Sequence, residues 1–300
     1  MPSLGQRVRR SIHKIQWEFV RGGPGRAARV LTVPTANGLL SFSNMDLHNA
    51  RTLFVHREWE LDLITRAMDY LRREGYTGKP GADVMVDVGA NIGMICVAML
   101  RLGHFKEALA FEPGPENFQF LTRNIEQNRM KGAIRPFPFA LTESSGEVEM
   151  ELSEENYGDH RVRSPGAAGP GLMGEDGRRT VRVPARSLDE VLASMAAVDP
   201  RRIGLIWVDT QGHEGHFFRG ARKTLAHRMP VLSEFWPYGI LRSGLDRESY
   251  AEIVRSLFSH LVVIDGVTGP FERRDAAGVR ELFDACPRWE QFLEVIFFPR

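Results

Sequence analysis

Short apolar runs alternate with segments of helical periodicity along most of the chain. The apolar runs predict buried strands at residues 84–88, 108–112, 134–141, 203–208, 230–235, 261–264 and 292–298, with a weaker alternation at 147–152. Apolar residues at helical spacing predict helices at 115–129, 187–198, 217–225 and 247–258. Strands that alternate with helices indicate an α/β fold with a Rossmann-like, doubly wound sheet of about seven strands.

The segment before the first of these strands has a different pattern. Residues 30–45 combine apolar residues with Pro34, Asn37 and Gly38, which predicts a short hairpin or an irregular cap. In residues 57–73 apolar side chains recur every three or four positions, as in an amphipathic helix. We therefore predict a cap over residues 30–81 and the main domain over residues 82–300.

The first 29 residues are basic. They contain seven Lys and Arg residues and one acidic residue, Glu18, whereas the whole chain has a formal net charge of +1. A nearly neutral chain argues against a general nucleic-acid-binding protein, which carries a marked basic excess. We interpret residues 1–29 as a solvated, partly disordered arm rather than a tether to nucleic acid or membrane.

Hydropathy and cysteine content indicate the cellular location of the protein. No stretch approaches the ~20 apolar residues that cross a bilayer, and the N-terminus lacks the apolar core of a signal peptide. Cys96 and Cys286 form neither a disulfide framework nor a metal-ligand cluster. The expected location is the cytoplasm, without a membrane span.

Residues 164–177 are rich in Gly and Pro and poor in large apolar groups. Such a segment cannot bury itself and predicts a mobile loop. Because it falls between the third and fourth predicted core strands, we interpret it as a flap on the substrate side.

A glycine-bent turn follows the first core strand. Gly89, Asn91 and Gly93 are spaced Gly-x-Asn-x-Gly and lead into a predicted helix whose free N–H groups face the carboxyl edge of the sheet. The Gly-x-Gly-x-x-Gly spacing of dinucleotide binders is absent, and Asn91 stands near the position where a glycine admits a pyrophosphate. Asp87 either faces the ligand or holds the turn.

The next predicted strand ends in Glu112, 23 residues after Gly89. An acid in that place can accept hydrogen bonds from both hydroxyls of a ribose. With the turn unsuited to a diphosphate, the two elements predict a nucleoside ligand without a diphosphate.

Three motifs together resemble one family. They are Asp87-Val88-Gly89-Ala90-Asn91-Ile92-Gly93, then Phe111-Glu112-Pro113, then Val208-Asp209-Thr210-Gln211-Gly212-His213-Glu214. They look like the successive signatures of the FkbM family of S-adenosylmethionine-dependent methyltransferases, part of the class I superfamily. Many relatives have a Lys two residues before the Asp of the third motif. This chain has Trp207 there, so no role is carried over from that lysine.

The resemblance implies a fold, a cofactor and an activity. The last strand should insert antiparallel, and S-adenosylmethionine should lie against Asp87, Gly89, Asn91, Gly93, Glu112, Ala140 and Asp209. The implied reaction is methylation of a hydroxyl on a small molecule, secondary metabolite or glycan. Because the cofactor already carries an activated methyl group, the protein has mainly to orient the acceptor and accept a proton.

Asp209, His213 and His160 are the candidate catalytic residues. Asp209 follows the fourth core strand, where sheets of this type place catalytic groups, and it could equally cap the following helix. His213 is our first choice of general base, and His160 is its rival from the flanking segment.

Three alternatives stay open at this stage. A nucleotide-dependent oxidoreductase would use the same sheet but a different glycine spacing, and a noncatalytic cofactor-binding protein would keep the fold without turnover. A Mg²⁺ ion at Asp209 is the metal alternative, because some sugar and catechol methyltransferases use one. The spacing of histidines and carboxylates shows no metal-ligand pattern.

Overall fold

A computed structural model describes residues 4–22, 27–77, 81–164, 171–195, 198–264, 266 and 269–300. The strands are β1 (Val30–Pro34), β2 (Leu39–Ser43), β3 (Val84–Val88), β4 (Glu107–Phe111), β5 (Ile134–Phe137), β6 (Ala140–Leu141), β7 (Gly146–Leu152), β8 (Arg161–Val162), β9 (Arg179–Arg186), β10 (Ile203–Val208), β11 (Val231–Phe235), β12 (Phe258–Ile264), β13 (Phe271–Asp275) and β14 (Leu293–Pro299). The helices are α1 (Leu4–Arg21), α2 (Asn49–His56), α3 (Leu61–Arg73), α4 (Met94–Arg101), α5 (Pro115–Gln127), α6 (Leu188–Ser194), α7 (Glu214–Gly220), α8 (Arg222–Leu225), α9 (Pro237–Arg242), α10 (Arg247–Leu257) and α11 (Val279–Ala285).

The central sheet has the strand order β13-β12-β14-β11-β10-β3-β4-β5. Strands β5, β4, β3, β10 and β11 are parallel, and β14 lies antiparallel between β11 and β12. The predicted doubly wound α/β fold with an antiparallel last strand is confirmed. The eighth strand, β13, was missed because its sequence Phe-Glu-Arg-Arg-Asp has no apolar alternation.

Both faces of this sheet are covered. Strands β3 and β10 are buried along their whole length, which agrees with sequences that are apolar except for Asp87 in β3. One face packs Leu188, Phe218 and Tyr250 of α6, α7 and α10 against the sheet. The other packs Ile64 of α3 and Leu121 of α5. The carboxyl ends of the parallel strands therefore stay as the open edge.

A second sheet, with the order β6-β9-β7-β8, lies beside that edge. The prediction of one strand over residues 134–141 is wrong: the chain leaves the central sheet after Phe137, and Ala140 pairs with Ala185 in the second sheet. Pro138 has no N–H and cannot extend the ladder. Strand β9 was not predicted, because three arginines and Pro184 obscure the apolar alternation of Val181, Val183 and Ala185.

The N-terminal segment, which we interpreted as a solvated, partly disordered arm, contains a helix. Helix α1 occupies most of residues 1–29, and Trp17, which is 1% exposed, packs into an apolar cluster with Leu53 and Phe54 of α2. The buried indole anchors a helix whose composition predicts solvation. Among the described residues, no helix is long and apolar enough to span a membrane.

The cap contains the predicted hairpin, β1 and β2. The amphipathic helix begins at Leu61 rather than Arg57, because Arg57 and Glu60 have left-handed φ angles of 62° and 51°. The cap shares an apolar cluster with Ile92 and Met94, next to the glycine turn. The domain boundaries at residues 29 and 81 stay predictions.

Of the predicted loop at 164–177, residues 165–170 lie outside the described part of the chain, and Glu175–Gly177 forms one 3₁₀ turn. Helix α6 begins with a capping box. The Ser187 side chain accepts from the Glu190 N–H, and the Glu190 carboxylate accepts from the Ser187 N–H.

Candidate active site

The turn after β3 and the loop after β10 are in backbone contact. A Cβ atom on Gly89, whose φ is 81°, would lie 1.8 Å from the Asp209 carbonyl oxygen. The Asp209 N–H donates to the Val88 carbonyl at 2.9 Å. Only glycine fits at position 89, because its φ is positive and the neighbouring backbone leaves no space for a side chain.

The rest of the turn is shaped by two further left-handed residues. Asn91 has φ 50° and Gly93 has φ 89°. A Cβ on Gly93 would lie 2.9 Å from Leu121 of α5, so this glycine allows α4 to pack closely against α5. Gly93 therefore lies behind the turn rather than at its open side.

Glu112 is 4% exposed and holds the turn through backbone contacts. Its Oε2 accepts from the Asn91 N–H at 2.8 Å, and its Oε1 accepts from the Gly114 N–H at 2.7 Å. Burial raises the pKa of Glu112 to about 7. Each carboxylate oxygen keeps a second lone pair that can accept from a ligand hydroxyl.

Asp87 is 1% exposed and accepts from the Cys96 N–H, in the first turn of α4, at 3.1 Å. Burial raises the pKa of Asp87 to about 7. Of the two roles considered for this residue, its contacts support holding the turn and the helix start.

The loop after β10 is organised by Glu214, a role that the sequence analysis missed. Its Oε1 accepts from the N–H and Oγ1 of Thr210, at 3.0 and 2.9 Å, and from the Gly212 N–H at 3.2 Å. Asp209 accepts from Gln211 Nε2 at 2.6 Å. Burial, then the negative charge of Asp159, raises the pKa of Asp209.

His213 is buried at the start of α7, with 5% exposure. Its Nε2 lies 2.9 Å from Thr142 Oγ1, and its Nδ1 has no hydrogen-bond partner in the described chain. Its ring stacks on His216 at 4.4 Å between centroids. Burial, then His216, lowers the pKa of His213 to about 3, so the ring is neutral.

His160 differs in how its ring nitrogens are used. Its Nδ1 accepts from the Ser153 N–H at 3.1 Å, which places the proton of the neutral ring on Nε2. Burial, then Arg178 and Arg179, lowers the pKa of His160 to about 4. The basic lone pair of this ring is therefore occupied by the backbone.

Two adjoining cavities lie at the open edge of the sheet. The inner pocket is lined by Val88, Gly89, Asn91, Phe111, Glu112, Pro113, Asn117, Ala140, Leu141, Met150, Tyr157, Gly158, His160, Arg161, Val162, Asp209, Thr210 and His213. The outer cleft, of about 740 Å³, is lined mainly by the second sheet, the 3₁₀ turn at Asp176 and helix α9. Asp87 and Gly93 line neither cavity. His213, Arg161 and Val162 line both.

A buried ion network shapes the wall between the cavities. Arg161 and Arg178 pair with Asp159, and Glu151 lies 3.4 Å from Arg161 and 3.7 Å from Arg178. The Arg161 guanidinium also lies 4.8 Å from the ring centroid of Trp236. The sequence offered no signal for this network, because its members come from three separate stretches, at residues 151, 159–161 and 178.

Asn117 is another lining residue that the sequence analysis missed. It is 2% exposed, its Nδ2 donates to the Tyr157 carbonyl at 2.9 Å, and its Oδ1 has no partner among the described residues. In the same part of the chain, no group of three or more His, Cys, Asp or Glu side chains is arranged to hold a metal ion. The Mg²⁺ alternative thus gains no support.

Comparison with known proteins identifies similar sequences. A family model described as the methyltransferase FkbM domain matches residues 87–261. The hexuronic acid methyltransferase AglP of Haloferax volcanii is 30% identical over 174 residues, which cover 57% of this chain and 61% of that protein. The methyltransferase sdnD of Sordaria araneosa is 32% identical over 71 residues, or 24% of this chain and 27% of that protein.

The chain therefore spans less than two thirds of the length of the curated relatives it matches. Among solved structures, a methyltransferase FkbM from Methylobacillus flagellatus aligns with a TM-score of 0.40 at 14% identity, covering 82% of this chain and 52% of that one.

The buried carboxylate of Glu112 predicts a pH-dependent stability. Its pKa is about 7 in the folded chain against an ordinary value of 4.5, so the folded chain binds more protons between these values. The contribution of Glu112 to the free energy of unfolding is then fully present below pH 4.5 and decreases by roughly 3 kcal/mol as the pH rises to about 7. Urea denaturation across this range should show the decrease in the wild type and a smaller one in Glu112→Gln.

The matched control is Glu126→Gln, which alters an exposed carboxylate. It should keep the wild-type pH dependence. An unchanged slope in Glu112→Gln would contradict the burial of charge at this position.

Proposed function

The chain belongs to the FkbM methyltransferase family, as its three motifs predicted, and from that premise we propose that it transfers a methyl group from S-adenosylmethionine to a hydroxyl oxygen of a small molecule or glycan. Because this is a family of methyltransferases, the nucleotide-dependent oxidoreductase alternative is no longer supported. The observation that carries the proposal is the pair of adjoining cavities, one beside the family motifs and one open to solvent, which share His213.

The lining of the inner pocket fits a sulfonium nucleoside. Glu112 offers acceptor lone pairs for ribose hydroxyls, and the unpartnered Oδ1 of Asn117 can accept from a further ligand donor. Gly89 and Asn91 bring backbone to the pocket surface, and Ala140 adds an apolar contact. Bound S-adenosylmethionine supplies a methyl group that its sulfonium makes electrophilic.

The inner pocket is narrow, with a volume of about 50 Å³ in the chain alone. A nucleoside therefore requires this pocket to widen. The second sheet and the 3₁₀ turn before β8, Tyr157–Asp159, line this pocket from outside the central sheet, and we propose that they move outward when the cofactor binds. When these elements close again over the bound cofactor, they would exclude water from the reacting groups.

His213 is the residue we propose as the proton acceptor. It lines both cavities, and a neutral ring that donates from Nε2 to Thr142 has a free lone pair on Nδ1. His160 is a weaker candidate because Ser153 occupies its basic nitrogen. Asp209 lines the inner pocket but not the outer cleft. We propose it as a cofactor contact and as the alternative base.

For the acceptor we propose a polyhydroxylated acid of the hexuronic type, the class that the name of the relative AglP states for that protein. The outer cleft supports this choice. Arg163 and Arg182 line it without an ion pair among the described residues, and an arginine can bind a carboxylate with two parallel hydrogen bonds. Glu147 and Glu149 line the same cleft and can accept from sugar hydroxyls.

Methyl transfer from labelled S-adenosylmethionine tests the activity and separates it from a noncatalytic role. With a glucuronic acid glycoside as acceptor we expect a labelled product that resists mild alkali, as a methyl ether does. With the matched neutral glucoside we expect a higher KM, and Arg182→Gln should raise the KM for the acid about tenfold. An alkali-labile product would place the methyl on the carboxylate, and an unlabelled acid would refute this acceptor class.

Glu112→Ala should weaken binding of S-adenosylhomocysteine by about 1 to 3 kcal/mol, because ligand hydroxyls lose a buried acceptor. Isothermal titration calorimetry measures the change, with Glu126→Ala as the control. Wild-type affinity in Glu112→Ala would refute the ribose contact.

His213→Ala should lower kcat by about 10² to 10⁴-fold with little change in the affinity for S-adenosylhomocysteine. Because the pKa of His213 is about 3, its lone pair is available throughout the range above that value, and the wild-type kcat should not fall under mildly acidic conditions. The exposed His227 provides the control variant, His227→Ala.

A fall in kcat as the pH decreases, abolished in Asp209→Asn but retained in His213→Ala, would assign the base to Asp209. Its raised pKa predicts that sign, because a carboxylate must lose its proton to act as a base.

A further inference from the structure

Helix α1 has two faces with different surroundings. On the inner face, Trp17 is buried, the His13 ring donates from Nδ1 to the Val55 carbonyl at 3.2 Å, and Arg10 pairs with Glu58 at 3.0 Å. The Val20 carbonyl accepts from Asn44 Nδ2 at 3.1 Å. These contacts fix the rotation of the helix, so its opposite face must point away from the domain.

That opposite face is apolar. Val8, Ile12, Ile15 and Phe19, which we call the outer stripe, are spaced by four, three and four residues and so lie in one line along the helix. They are 52%, 49%, 73% and 89% exposed. Single exposed apolar residues are ordinary, whereas an aligned series on one helix marks an interaction surface.

Positive charge flanks the outer stripe. Helix α1 contains five Lys and Arg residues and one Glu. Arg7, Arg9 and Lys14 are exposed and form no ion pair with any residue that the structure describes. An apolar stripe bordered by basic residues is the arrangement of helices that lie in the interface of an anionic bilayer. Acyl chains then receive the apolar side chains, and lipid phosphates neutralise the cations.

We propose that α1 docks the protein on an anionic membrane surface, with the outer stripe inserted among the lipids and the helix axis parallel to the membrane. A second copy of the chain is a poorer occupant, because it would present the same excess of positive charge. Nucleic acid would neutralise the cations and leave the stripe in water. The proposal replaces our expectation of a solvated arm and does not depend on the methyl-transfer reaction.

Flotation of the full chain with lipid vesicles tests the proposal. We expect binding to vesicles of phosphatidylglycerol and phosphatidylcholine, weaker binding to phosphatidylcholine alone, and loss of the difference at high salt. Ile15→Ser combined with Phe19→Ser should reduce the affinity for the anionic vesicles about tenfold or more. The pair Arg7→Gln and Lys14→Gln should reduce it roughly tenfold as well.

Leu102→Ser is the matched control, because Leu102 is 48% exposed at the end of α4, outside the outer stripe. It should bind vesicles like the wild type. Circular dichroism and Tm should stay unchanged in every variant, since each altered side chain is exposed. Absence of vesicle binding by the wild type, or wild-type binding by the stripe variant, would overturn the proposal. The proposal would also be overturned if the wild type formed a dimer in sedimentation velocity, the stripe variant were monomeric, and neither protein bound vesicles. That result would assign the outer stripe to a contact between two copies of the chain.

Discussion

The backbone contact between the β3 turn and the β10 loop is the constraint on which the site depends. Gly89 leaves no space for a side chain against the Asp209 carbonyl, and the Gly89 N–H donates to the Phe111 carbonyl at 2.9 Å. These contacts join the carboxyl ends of β3, β4 and β10 at one edge. Glu112 and Asp209 can therefore line one pocket, although 97 residues separate them along the chain.

Buried carboxylates then stabilise the loops at this edge. Asp87, Glu112 and Glu214 each accept backbone N–H groups from a turn or a helix start. Burial raises the pKa of each of the three to about 7, which is the cost of placing acids inside the fold. These hydrogen bonds fix the loops before any ligand binds. Loops that are already ordered reduce the entropy that is lost when reacting groups are brought into orientation.

The second sheet forms much of the lining of the outer cleft. Arg161 and Arg178 pair with Asp159 and lie close to Glu151. Of these residues, Arg161 lines both cavities and Glu151 lines the outer cleft. Removing one member of such a network would leave an uncompensated buried charge, so these residues are coupled to one another in stability. The cleft in which we propose that the acceptor binds is thus lined mainly by elements outside the central sheet.

The sequence by itself determined the central fold, the glycine turn and the acid after β4. These features are encoded locally, since strand and helix periods and the need for a positive φ at Gly89 are properties of short segments. Tertiary structure decided the hydrogen-bond partner of His213, because Thr142, which contacts its Nε2, lies 71 residues away in the sequence. It also decided that the Ser153 N–H binds Nδ1 of His160. It also decided that Trp17 is buried and that α1 is ordered, because the cluster that receives the indole is assembled from distant segments.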